Sequence, residues 1–154
     1  MSLLRRLIAF ISLLLLASGL ATAADVARPI SPSDLISALQ LNSQLPAVKA
    51  GKIVLIQVGF LMMYRMGHIP GSQYAGPAAK PEGLAALEKL AARLPHTQQI
   101  VIYCGCCPWN DCPNIRPAFR ALKQMGFSNL KVLEIPQRLG TDWTAKGFPI
   151  VMGD

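Results

Sequence analysis

The segment Gln99-Ile100-Val101-Ile102-Tyr103-Cys104-Gly105-Cys106-Cys107-Pro108-Trp109-Asn110-Asp111-Cys112-Pro113-Asn114-Ile115-Arg116 decides how this chain is read. Its first five residues are an almost uninterrupted apolar, β-branched run, the pattern of a strand buried on both faces of a parallel sheet. Gly, Pro and Cys then fill a loop, and Asn114–Met125 predicts a helix stopped by Gly126. Cys104 therefore stands at the carboxyl end of a strand, directly before a loop and a helix N-terminus. Sites in open α/β sheets gather at that position.

The neighbouring segments repeat the alternation. Lys52–Val58 predicts a second buried strand and Leu130–Ile135 a third. Glu82–Leu94 predicts a helix, with Leu84, Leu87, Leu90 and Leu94 at three- and four-residue steps and Pro95 as its stop. Ser33-Asp34 caps a short helix running through Gln40, with Leu35, Ile36 and Leu39 as its apolar stripe. Gly59–Lys80 reads as loop with one helical turn near Leu61–Arg65, its Met62, Met63 and Met66 packed into the core. A turn or short helix is expected around Thr141–Lys146, and Trp143 is expected in the core. Strands alternating with helices imply one α/β domain with a mainly parallel central sheet.

Composition narrows the function classes. The chain has 154 residues, 52% hydrophobic and 15% charged, which excludes a disordered protein. Its formal charge of +7 comes from scattered residues without a basic run, so no nucleic-acid partner is expected. Arg5 and Arg6 precede the apolar run Leu7–Leu20 and the small-residue site Ala21-Thr22-Ala23. This pattern predicts a cleaved signal peptide over residues 1–23 and a mature domain over 24–154, periplasmic or secreted, with no stable membrane insertion after cleavage.

All four cysteines fall between Cys104 and Cys112. Disulfides that staple a fold close long loops, whereas four cysteines in one loop point to local chemistry. A thiolate is the reactive form, favoured near a helix N-terminus or a cation. Backbone N–H groups of the loop, beginning at Gly105, supply the first condition, and Arg116 is the nearest candidate cation. Disulfides that only shape the loop are the plainer alternative. Four thiolates can also hold Zn²⁺ or Cu(I), but paired C-x-x-C knuckles are absent, so neither a metal ligand set nor a cofactor is expected. His68 reads as a structural residue of its turn.

At this point the chain resembles the rhodanese-like single-domain sulfurtransferases, with an enlarged Cys-rich active-site loop. The resemblance rests on Gly67-His68-Ile69-Pro70-Gly71-Ser72 after the Ile53–Val58 strand, on Cys104 after the Ile100–Tyr103 strand, and on Trp143 with Gly147-Phe148-Pro149-Ile150-Val151. It covers residues 30–152 or so. Gln57 and Gly59 stand where family members often carry Asp and Arg. The resemblance implies a three-layer α/β fold and sulfane-sulfur transfer through a persulfide on Cys104. A small thiosulfate-like donor would be used, with a thiol or cyanide-like acceptor, and a protein sulfur acceptor or thiol reductant as candidate partner. Cys106, Cys107 and Cys112 become candidate resolving or redox thiols. Gly105, Trp109, Asn110 and Arg116 become the substrate- and anion-binding loop.

Two other classes compete. Cys104 and Cys107 have the spacing of a thiol–disulfide redox pair, with Pro149 as the facing proline, although the Gly67–Gly71 turn is then unexplained. The other is a non-catalytic module whose loop carries metal or sulfur. Phosphatase chemistry on the same fold needs Cys-x5-Arg, and Asn110 occupies the arginine's place.

Overall fold

Residues 29–153 are described by a computed structural model; the leader read over residues 1–23 lies outside the described residues. Five strands form one sheet: β1 (Leu35–Ser37), β2 (Ile53–Gln57), β3 (Ser72–Tyr74), β4 (Gln99–Tyr103) and β5 (Leu130–Glu134). Their order is β1-β5-β4-β2-β3, and every pairing is parallel. The strand that ends at Cys104 is thus the centre of the sheet.

Parallel strands need crossovers, and the crossovers supply the helices α1 (Ala38–Ser43), α2 (Leu45–Lys49), α3 (Leu61–Met66), α4 (Pro81–Ala91) and α5 (Ile115–Gln124); α6 (Leu139–Asp142) follows the last strand. Strand periodicity divides β4 between two cores. Ile100, Ile102 and Cys104 join Leu87, Phe119 and Leu122 of α4 and α5 on one face. Val101 and Tyr103 join Leu41, Ile69 and Trp143 on the other. Helix α5 is amphipathic in the simplest way: Ile115, Ala118, Phe119 and Leu122 are buried while Arg116 and Arg120 are exposed. The expected α/β architecture, with helices on both faces of a parallel sheet, is what the chain adopts.

Three local expectations fail. Leu35–Ser37 is not helical but pairs with β5, Leu35 opposite Val132. The helix starts only at Ala38, because the Ser37 hydroxyl accepts from the Gln40 N–H and the Gln40 side chain accepts from the Ser37 N–H. Ser72–Tyr74, read as loop, pairs with the end of β2. Met62 and Met66 are 73% and 70% exposed rather than core. Tyr64 is the one residue that α3 buries, so the methionines fall on its outer side.

Candidate active site

The glycine-rich turn before β3 is fastened to the strand that carries Cys104. Tyr103 Oη accepts the Ile69 N–H at 3.1 Å and lies 3.0 Å from Ser72 Oγ. His68 stacks on Tyr64 at 3.7 Å and its Nδ1 lies 2.8 Å from the Tyr64 carbonyl. Its backbone pairs with Val151. All of its contacts are architectural.

Cys104 follows Tyr103 directly. Its carbonyl accepts from Gln57 Nε2 at 3.0 Å, and Gln57 Oε1 accepts the Gly59 N–H at 3.3 Å. Gln57 is buried and locks the ends of β2 and β4 together. Gly59 leaves the room that Cys104 uses, since a Cβ there would lie 2.8 Å from Cys104 Sγ. Gly105 then turns the chain with φ +84°, a left-handed conformation suited to glycine. Its carbonyl accepts the Leu139 N–H at 3.0 Å, anchoring the loop to α6.

The loop brings the cysteines together. Cys104 Sγ is 3.1 Å from Cys106 Sγ, which is 3.0 Å from Cys107 Sγ. The sulfurs of Cys104, Cys106 and Cys112 all lie within 4.8 Å of one another. Cys104 and Cys112 are buried, whereas Cys106 and Cys107 are half-buried and form the side of the cluster nearer solvent. Of the two half-buried cysteines, it is Cys106 and not Cys107 that meets Cys104.

Asn114, which the sequence does not single out, sits beneath the cluster. It is fully buried, and its Nδ2 points at Cys104 Sγ at 3.5 Å and at Cys112 Sγ at 4.0 Å. Its Oδ1 accepts the Ala79 N–H at 2.9 Å, which fixes the amide orientation. The signal available in the sequence is its place immediately before the periodic face of α5.

Trp109 is half-buried against the α4–α5 core, and its backbone N–H donates to the Ile135 carbonyl at 2.9 Å. Asn110 is exposed, and its carbonyl accepts from Arg116 Nη2 at 3.2 Å. The Arg116 side chain thus braces the outside of the loop, and its recorded partner is a backbone carbonyl rather than a cysteine.

Among these interacting sulfurs, the surroundings of Cys112 favour its thiolate. Its thiol is drawn down to about 5, chiefly because it accepts the Cys104 S–H, with backbone N–H groups of Asn114 and Ile115 adding to the effect. Cys104 is pushed up by donating that bond, by burial and by Cys106. Burial and the neighbouring Cys106 also hold Cys107 up. The cluster can thus keep one thiolate in the loop just before α5 and a proton on Cys104, an acid–base pair made of two sulfurs.

No protein-family model and no curated protein matches the chain. Solved structures do. A rhodanese-like domain from Anabaena sp. is 22% identical with a TM-score of 0.55, covering 77% of this chain and 79% of its own. A rhodanese-related protein from Thermoplasma volcanium is 18% identical with a TM-score of 0.52, covering 77% of this chain and 97% of its own. A protein from Rhodopseudomonas palustris described as a possible tyrosine phosphatase is 18% identical with a TM-score of 0.55, covering 77% and 84%. The chain has the rhodanese-like fold, carrying a cysteine cluster at the carboxyl end of its central strand.

Proposed function

We propose that the protein is an exported sulfurtransferase that carries sulfane sulfur on Cys104 between a thiosulfate-like donor and a thiophilic acceptor. The observation that carries this reading is the position of Cys104, at the end of central strand β4, with its Sγ among other sulfurs rather than in a disulfide. The Cys104 sulfur attacks the outer sulfur of thiosulfate as its proton passes to the Cys112 thiolate. The S–S bond of the donor breaks, sulfite leaves, and Cys104 holds a persulfide. Cyanide or a thiolate acceptor then takes the outer sulfur and returns Cys104 as the thiolate. The Asn114 amide and the N–H groups at the start of α5 are the donors available to the charge that develops. Export is supported by the Met1–Ala23 leader pattern alone.

Intact mass after thiosulfate, and again after cyanide, tests the reading. One added sulfur that cyanide removes, absent from Cys104→Ala, is expected; a sulfur retained by that variant overturns the assignment.

A thiol–disulfide function is the second reading, favoured by the 3.1 Å approach of Cys104 and Cys106. It replaces the Cys104/Cys107 pair suggested by spacing with Cys104/Cys106. Phosphoryl transfer lacks a cation at position 110, where Asn110 is exposed.

A further inference from the structure

We propose that Cys104, Cys106 and Cys112 form a three-thiolate site for a single Cu(I) ion. This function is separate from sulfur transfer and belongs to the reduced, persulfide-free protein, because Cys104 is a member of both sites. The three sulfurs already lie within 4.8 Å of one another, brought there from the end of β4 and from the two ends of the loop that leads to α5. A metal–thiolate bond of about 2.3 Å puts three trigonal sulfurs about 4.0 Å apart. The Cys104–Cys106 separation of 3.1 Å then opens by about 1 Å as the ion enters. The half-buried Cys106 is the movable member, and Cys104 and Cys112 are the fixed ones.

The donor set selects the ion. It contains sulfur only, with no imidazole or carboxylate, and soft thiolates select Cu(I) and Zn²⁺ over harder cations. Structural zinc takes four ligands in a tetrahedron. The fourth cysteine, Cys107, lies outside the set of mutually close sulfurs, although it touches Cys106 at 3.0 Å and also hydrogen-bonds with Cys112. Three-coordination suits the monovalent ion better.

All three sulfurs bind as thiolates, so the protons still on Cys104 and Cys106 are lost on binding, which leaves net negative charge in a buried place. The structure holds a donor for that charge. Asn114 Nδ2 points at two of the three sulfurs, and its orientation is fixed by the Ala79 N–H. Outer groups that hydrogen-bond to ligands commonly tune metal affinity tenfold or more. An asparagine locked in this orientation gains nothing from solvent, because it is fully buried.

The test is an anaerobic titration of the reduced full chain with Cu(I) against a chromogenic Cu(I) chelator, followed by the thiolate-to-copper charge-transfer absorbance. One equivalent per chain is expected. Cys104→Ser, Cys106→Ser and Cys112→Ser should each weaken binding at least about tenfold, Asn114→Ala about tenfold, and Cys107→Ser less than about threefold. Far-UV circular dichroism separates loss of the site from loss of the fold. If a ligand variant fails to fold, the contrast between Asn114→Ala and Cys107→Ser still decides. No copper taken from the chelator, a Cys107→Ser loss equal to that of Cys106→Ser, or Zn²⁺ displacing bound Cu(I) overturns the proposal. None of these readings involves sulfur loading, so failure here is distinct from failure of the sulfurtransferase reading.

Discussion

Asn114 joins Ala79 to Cys104: its Oδ1 accepts the Ala79 N–H at 2.9 Å while its Nδ2 points at Cys104 Sγ at 3.5 Å. One fully buried side chain thus couples the segment before α4 to the sulfur at the end of β4. Asn114→Ala removes both interactions and leaves the Ala79 N–H without its partner. A cost of about 1–3 kcal/mol in urea denaturation is expected, together with slower thiosulfate loading. Unchanged stability and loading would mean that the amide neither positions nor polarises the sulfur.

The charge on Cys112 sets a pH dependence. In the reduced, metal-free protein its thiol is drawn down to about 5, first by the Cys104 S–H. The folded value lies below the ordinary cysteine value of about 8.5, so the linked stability is complete above that unfolded value. It is lost as pH falls through about 5. Thiolate ultraviolet absorbance should fall by one cysteine's worth over the same acidic range. Cys104→Ala removes the main donor, and the midpoint should move upward. Absorbance that first appears only at alkaline pH in the parent protein would sink this assignment of charge.

Space at Gly59 limits what can stand behind Cys104. An alanine Cβ would lie 2.8 Å from Cys104 Sγ and 3.1 Å from the Cys104 carbonyl oxygen. Overpacking of this kind costs about 1–3 kcal/mol. A displaced nucleophile costs about ten- to hundredfold in rate. Gly59→Ala should therefore lower both the melting temperature and the rate of sulfur loading. Gly140→Ala, whose Cβ meets nothing within 4 Å, is the control and should leave both close to the parent. Equal effects of the two would remove the steric argument.

The parts of this fold legible in the sequence are those whose residues carry a long, one-sided pattern. Strand β4 reads directly because Ile100–Tyr103 is buried on both faces, and α5 reads directly because Ile115, Ala118, Phe119 and Leu122 recur at helical spacing. Strands β1 and β3 have only three residues each, too few to display a period, and their strand character comes from pairing with Val132 and Leu55. Within the site, the crowding of four cysteines after a strand pointed to local chemistry, and the structure brings their sulfurs together. Which sulfurs touch was not legible, because loop conformation depends on Gly105 in its left-handed turn and on anchors at Ile135 and Leu139. Gln57 is not legible as a partner of Cys104 because its bond joins positions 47 apart in sequence, and Asn114 is not legible because the loop between it and Cys104 and its bond to Ala79, 35 positions away, fix where its amide points.

Arg116 provides the sharpest contrast between the two kinds of reading. Proximity in sequence made it the candidate cation for the cluster, yet α5 turns it outward, where it is exposed and its Nη2 donates to the Asn110 carbonyl at 3.2 Å. An exposed side chain with a single backbone bond contributes little, so Arg116→Ala should change stability by no more than about 0.5 kcal/mol. If the Arg116 guanidinium only braces the outer loop, thiosulfate loading at saturating donor should stay within about twofold, the rate equivalent of that energy. Its dependence on ionic strength should be unaltered as well, because no cation has been removed from the path of the anion. Loading that collapses, with the fold intact by circular dichroism, would place the guanidinium at the donor and restore the role suggested by proximity.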